Sequence, residues 1–160
     1  MGPDGDLVEA RLGRGCRCFA VWIEGAAAGY GWLSTGPEWI SEIQLEITPR
    51  EREGYVWDCA TVVKHRRKGI FRSVLVGISE AARREGLQRL WIGTIEIPAE
   101  KALPQAGFKP ALRFRAKKLG GWHVLRADRA TSDPKLLAAA RAVLKPRADW
   151  LIRRSESRRH

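Results

Sequence analysis

The sharpest change in hydrophobic period along the chain falls between residues 63 and 70. Upstream, Tyr55, Val56, Trp57, Asp58, Cys59, Ala60, Thr61, Val62 and Val63 form a run rich in β-branched and aromatic residues, which predicts a strand. Downstream, Ile70, Val74, Leu75, Ile78, Ala81 and Ala82 share one side of a 3.6-residue repeat. Arg72, Ser73, Glu80, Arg83 and Arg84 share the other, and Gly86 closes the run, so a helix is predicted over 70–85. The junction is Arg66-Arg67-Lys68-Gly69-Ile70-Phe71. A basic turn with one glycine at a helix start suits an anion, because the first-turn N–H groups lack intrahelical partners and the helix dipole is positive there. An ordinary strand–turn–helix junction with a solvated basic face would read the same way.

The same reading extends along the chain. Residues 1–6 carry no apolar pattern and are expected to be disordered, and 7–12 predict one or two helical turns ended by Gly13 and Gly15. Residues 17–24 and 28–34 predict an antiparallel pair turning at Gly25. In 41–47, Ile43, Leu45 and Ile47 alternate with Glu42, Gln44 and Glu46, which predicts a one-sided strand. After a charged turn over 48–54 and the strand–loop–helix unit, 90–95 predicts a strand parallel to 55–63. Pro98 suits the first turn of a short helix, and Pro104 keeps that helix short. Leu112 and Phe114 begin a hairpin that turns at Gly120-Gly121 and returns over 122–126, with His123 on an edge strand. Asp133-Pro134 caps a helix over 135–144, and a second is expected over 148–154.

Composition narrows the class. A chain of 160 residues with 44% hydrophobic content is expected to fold as one domain with a core. It lacks an apolar run near the roughly 20 residues that span a bilayer, and its start has no signal-peptide core, so a soluble, cytoplasmic protein without a membrane partner is expected. Three cysteines with no CxxC pair argue against a disulfide framework and against a metal site, and Cys59 reads as a small buried hydrophobe. Lys and Arg number 29 against 18 acidic residues, a net charge of +11 that attracts polyanions such as nucleic acid or a phosphate-bearing cofactor. Of the basic clusters at 64–68, 113–118 and 145–159, only the first lies at a predicted phosphate site.

Three blocks in order carry a resemblance. Arg66-x-x-Gly69-x-Phe71 is similar to the Gln/Arg-x-x-Gly-x-Gly/Ala pyrophosphate loop of the GNAT superfamily of acyl-CoA-dependent N-acetyltransferases, except at its last place. Residues 96–109, from Glu96 to Gly107-Phe108-Lys109, resemble that family's segment leading through a helix into Gly-Phe. Residues 19–25 and 28–33 resemble its early hairpin. The resemblance spans about 16–126 and implies an α/β fold of mixed α+β type: a twisted, mixed, mainly antiparallel central sheet flanked by helices. It divides the chain into 1–6, a GNAT-like domain over 7–127 and a basic helical extension over 128–160. It also implies that the family's usual first strand and helix are short or missing, leaving the acceptor-side wall incomplete or completed by a partner.

By position, the resemblance assigns the pantetheine arm of acetyl-CoA, or of a related acyl-CoA, to Thr61, Val62 and Val63. It assigns the pyrophosphate to Arg66, Arg67, Lys68, Gly69, Ile70, Phe71 and Arg72, chiefly through backbone N–H groups. Phe71 stands where the family prefers a small residue, and its side chain is expected to turn into the core. Catalysis in the family uses a carboxylate as base and often a tyrosine as acid. The usual tyrosine position is Leu103 here, and the usual Asn and Ser are Glu96 and Ala99. Asp58, Glu42, Glu46 and Glu96 are the candidate bases. Asp58 leads, since a carboxylate in mid-strand needs an ion-pair partner or a purpose. Tyr55, expected to share a strand face with Trp57, Cys59 and Thr61, is the candidate acid or substrate wall, and His65 a phosphate-proximal donor. Trp32, Trp39 and Trp57, of seven tryptophans, could line an aromatic acceptor pocket.

The implied function is acyl transfer from acyl-CoA to an amine, small or protein-borne, with a cationic acceptor favoured by the carboxylates. Two rivals stand beside it: a catalytically silent acyl-CoA-binding or regulatory module, and an RNA-associated acetyltransferase or nucleic-acid-binding protein. A homodimer is compatible with the sequence.

Overall fold

The computed structural model describes residues 5–94, 97–119, 122–146 and 151–154. The expected disorder at 1–6 therefore falls largely outside the described residues, as do Glu96 and the Gly120-Gly121 turn. The chain divides into two units, one of residues 1–37 and 49–109 and the other of 38–48 and 110–160.

The first unit is built on a four-stranded sheet. Strands β1 (Arg17–Ile23) and β2 (Ala26–Ser34) form the early hairpin, and the two strands flanking helix α2 (Ile70–Arg84) run parallel. The strand before that helix lies at Glu53–Thr61 and the one after it at Arg89–Ile92. These are β5 and β6, because two short strands of the second unit intervene in the chain: β3 (Glu38–Ile40) and β4 (Leu45–Ile47). The order is β1-β2-β5-β6, antiparallel except for the last pair. β5 starts and stops two residues earlier than its apolar run, since residues 63–65 close a 3-10 turn.

Helix α2 packs on β1, β2 and β5. Its apolar side supplies Val74, Leu75, Ile78 and Ala82 to a core shared with Leu33 and Val56. Phe19, Val21, Cys59, Phe71 and Leu103 pack against that cluster, so Phe71 and Leu103 both contribute apolar surface to the core. A short helix α3 (Ile97–Ala102) and a 3-10 turn (Pro104–Ala106) follow, the break falling at Pro104. Helix α1 (Gly5–Gly13) precedes the sheet.

In the second unit the hairpin of β7 (Leu112–Leu119) and β8 (Trp122–Arg129) is followed by helix α4 (Pro134–Ala142). Asp133 caps that helix, its side chain accepting from the N–H groups of Lys135 and Leu136 at 2.8 and 3.2 Å. β9 (Leu144–Pro146) pairs with β4, and β10 (Leu151–Arg154) pairs in parallel with β8. Leu45 and Leu125 form this unit's core with Ile43, Phe114 and Leu144.

Three expectations are corrected here. Residues 41–47 are not one strand: 41–44 turn, with Gln44 at a φ of 52°, and only 45–47 continue as β4. The alternation survives because a turn between two short strands can preserve inside–outside order. The helix expected at 148–154 is replaced over 151–154 by β10, whose β-branched and apolar start finds a ladder partner in β8. With β10 beside it, β8 is an inner strand, and His123 lies on that inner strand rather than an edge.

Candidate functional site

The loop between β5 and α2 exposes a row of backbone donors. The amides of Val62, His65 and Arg66 donate to Ala28, Val63's neighbour Val62, and Val63 carbonyls, and Ser73 donates to Gly69. Residues 66–69 form a main-chain turn, and among the described residues the amides of Arg67, Lys68, Gly69, Ile70, Phe71 and Arg72 make no close, well-aligned hydrogen bond to a backbone or side-chain acceptor. Arg67 has a φ of 62°, and Gly69, the residue preceding the helix, a φ of 78° with no side-chain cap. Left-handed residues in a turn can direct successive N–H groups to one side, forming a cradle for an anion. Nothing lies within 4 Å of where a Gly69 Cβ would stand, so the space above this residue is open. Arg66, Arg67, Lys68 and Arg72 are all exposed around it.

Beside this loop, the parallel pairing of β5 with β6 stops early. It runs from Glu53 opposite Arg89 to Val56 opposite Ile92, and residues 57–61 have no β6 partner among the described residues. On its other side β5 stays paired with β2 as far as Thr61. Among the described residues, one row of β5 main-chain groups is thus left without a strand partner, as an extended ligand that adds to the sheet would require. Thr61 ends the strand, Val62 and Val63 lead into the turn, and 66–72 carry the amides.

The carboxylate candidate owes its position to a β-bulge. Tyr30 pairs with Ala60 and Trp32 with Trp57, so Asp58 and Cys59 together face Gly31. Asp58 takes the left-handed conformation, at a φ of 43°. One extra residue reverses the facing of everything beyond it. Val56 and then Cys59 turn to the α2 core, whereas strict alternation would have aimed Asp58 there. The expectation that Tyr55, Trp57, Cys59 and Thr61 share a face is therefore corrected: Trp57 lies against Trp32, and Cys59 packs on the opposite, α2 side. Burial, followed by the negative charge of Asp58, pushes the Cys59 thiol up to about 12, which makes it an inert core group.

Asp58 has a partner that the chain's pattern did not single out. Arg11 of α1 donates to Asp58 Oδ2 at 2.6 Å, and its guanidinium carbon lies 4.2 Å from the Trp57 ring centroid and 5.0 Å from that of Trp32. The two rings are 6.3 Å apart and tilted by 35°. The need for a cation opposite Asp58 was readable, but many arginines could have met it. Only the tertiary fold selects Arg11. Cys18 pairs across β1–β2 with Trp32, extending the row Cys18–Trp32–Trp57. Tyr30 is a second residue near Asp58 that the sequence pattern does not single out. Its phenol is pushed upward by burial and then by the charge of Asp58.

The other candidates are distributed as follows. Tyr55 is buried, with its hydroxyl 3.5 Å from where a Gly93 Cβ would stand, just past the end of β6. The Nδ1 of His65 is buried without a hydrogen-bond partner among the described residues. Glu42 and Glu46 belong to the second unit, where Glu42 accepts from Ser41 and Glu46 from Thr48. Trp39 lies on β3 with its indole exposed. Glu96 lies outside the described residues. Among the described residues no group of three or more His, Cys, Asp or Glu side chains could hold a metal, and no helix is long and apolar enough to cross a membrane.

These features define a mixed α/β domain with an open strand edge leading into an amide-lined basic turn. Residues 3–108, about two thirds of the chain, match the Acetyltransferase (GNAT) family. The chain belongs to that family. Among solved structures it resembles a Bacillus subtilis acetyltransferase in complex with CoA, with 20% identity, a TM-score of 0.51 and 72% of this chain covered. The match spans 64% of that protein's length. It also resembles a ribosomal-protein-alanine N-acetyltransferase from Brucella melitensis, with 20% identity, a TM-score of 0.53 and coverage of 74% and 70% of the two chains. A third is glucosamine-6-phosphate N-acetyltransferase from Arabidopsis thaliana, with 13% identity, a TM-score of 0.51 and coverage of 73% and 76%. No curated protein matches the sequence.

Proposed function

We propose that the protein transfers an acetyl or related acyl group from acyl-CoA to an amine. The observation that carries this reading is the run of amides from Arg67 to Arg72, which make no close hydrogen bond among the described residues, directly beyond a stretch of β5, 57–61, that has no β6 partner among them. Thr61, Val62 and Val63 would pair with the pantetheine arm, and the 66–72 loop would bind the diphosphate through main-chain N–H groups, with Arg66, Arg67, Lys68 and Arg72 adding charge. The bound acyl-CoA supplies an activated thioester.

Asp58 is the proposed base. It is more than a third exposed at the bulge, within reach of solvent, and sits three residues before the strand's end. Its carboxylate takes the proton from an incoming ammonium, leaving the neutral amine as nucleophile. Tyr55 is the proposed acid for the departing thiolate, on the strength of its hydroxyl beside Gly93 where β5–β6 pairing ends. Glu96 remains a sequence candidate.

One observation favours a second reading. The Arg11–Asp58 ion pair already engages the proposed base, as expected of a silent acyl-CoA-binding module. A steady-state assay of thiol release from acetyl-CoA, over a panel of amines, separates the two. Transfer is expected with at least one amine, and Asp58→Asn is expected to lower kcat by about 10²–10⁴-fold. Acetyl-CoA binding without turnover on any amine would leave the silent module.

A further inference from the structure

Arg11 is bound as a ligand would be. A carboxylate on one side and two tilted indole faces on the other are the elements that recognise an organic cation. The Arg11 side chain is only 14% exposed, so the site encloses it. The indole N–H groups of Trp32 and Trp57 are also buried without a hydrogen-bond partner among the described residues, and Trp32 is 99% buried. Two buried indole donors without a partner among the described residues, on the two rings that contact Arg11, are unusual for a packed core, where such groups are nearly always paired.

The element that carries Arg11 is weakly held. In α1, residues 7–13 include no buried residue, and Leu7 and Leu12 are 51% and 54% exposed. Arg11 reaches 47 positions along the chain to Asp58, its apolar stem carrying the guanidinium to the carboxylate. A side chain held by a short, poorly buried helix can leave its site at the expense of one ion pair and two ring contacts.

We infer that Trp32, Trp57 and Asp58 form the acceptor's cation subsite, that it takes an alkylammonium group, and that Arg11 fills it as a displaceable internal competitor. The acceptor role rests on the transferase reading above, whereas the cation site does not. An ammonium entering the site replaces the guanidinium on Asp58. One N–H bond of the ammonium then breaks as an O–H bond forms on the carboxylate, and the proton passes to solvent afterwards. Arginine cannot take this route, since its guanidinium stays protonated. That makes Arg11 an occupant and not a substrate.

The test is a tryptophan-fluorescence titration of the full chain with n-butylammonium chloride, using n-butanol as the neutral isostere and potassium chloride as the ionic control. Arg11→Met keeps an unbranched apolar stem and removes the charge. It is expected to bind n-butylammonium at least tenfold more tightly than wild type, with no response to butanol, and the added Asp58→Asn change is expected to abolish binding. Equal affinity in wild type and Arg11→Met overturns the inference. So does an Arg11→Met protein that fails to fold while Arg11→Lys folds, because the pair would then be a staple of the fold. Tightened ammonium binding without acyl transfer to any amine would uphold the cation site and remove the transferase reading. Transfer at an unchanged KM in Arg11→Met would do the reverse.

Discussion

At the scale of single residues, the two carboxylates of β5 show how one strand assigns opposite tasks. Glu53 is buried and fully engaged: Arg89 donates at 2.6 Å, Trp91 Nε1 at 2.8 Å and the Arg50 amide at 3.3 Å. Burial alone would raise its pKa, but the hydrogen bonds of Trp91, Arg89 and Arg50 together hold it below the ordinary value. A depressed folded-state pKa contributes stability that is present above the unfolded value of 4.5 and is lost as pH falls through the lower folded value. Thermal melts between pH 7 and pH 3 are therefore expected to show a midpoint that falls below about pH 4.5 in wild type. Glu53→Gln should lose about 1.5–3 kcal/mol at pH 7 and show a flatter acid limb, since charged hydrogen bonds carry about that much. Asp58 is turned outward by the bulge, and Cys59 inward. Alkylation with iodoacetamide at pH 8, read by mass spectrometry, is expected to modify exposed Cys18 in the folded protein and to spare Cys16 and Cys59. Labelling of Cys59 as fast as Cys18 would contradict the reversed facing.

At the scale of elements, the position of the 66–72 loop depends on how closely α2 lies on the sheet. A Cβ at Gly31 would meet Cys59 Sγ at 2.7 Å, Val74 Cγ1 at 2.9 Å and Ile78 Cδ1 at 3.3 Å. Glycine opposite the bulge is what lets the helix approach there. Gly31→Ala is expected to destabilise by about 1–3 kcal/mol through overpacking, lowering the urea midpoint with the slope unchanged. Helix α2, the β1–β2 hairpin and the parallel β6 were legible in the chain because each has a strong period or a glycine at its turn. The split of 41–47 and the strand at 151–154 were not. Both depend on β9 and β8 as ladder partners distant in sequence, and short apolar runs carry no signal of who their partner is. The bulge was equally hidden, since inserting one residue leaves local composition unchanged and only reverses facing. Of the candidate site, the loop stands out in the sequence through its basic residues and glycine. The Arg11 contact does not, because an arginine on a short polar helix has no periodic signature of burial.

At the scale of the whole molecule, the chain has two β-rich units, and its match to the GNAT family spans residues 3–108. The net charge of +11 bears on the nucleic-acid alternative, which makes its own demand: RNA binding should weaken steeply with salt through counterion release. Binding that is absent at low salt removes it. The donor row of the 66–72 loop makes the more direct demand. A thermal-shift titration with acetyl-CoA and free CoA should raise the wild-type midpoint by about 5–10 °C at a hundredfold excess over Kd, corresponding to about 2.7 kcal/mol. Gly69→Glu, which puts a negative side chain at a φ of 78° over the open turn, should remove the shift measured from its own unliganded midpoint. An unshifted wild type, or an equal response from Gly69→Glu, would contradict a diphosphate held by those amides.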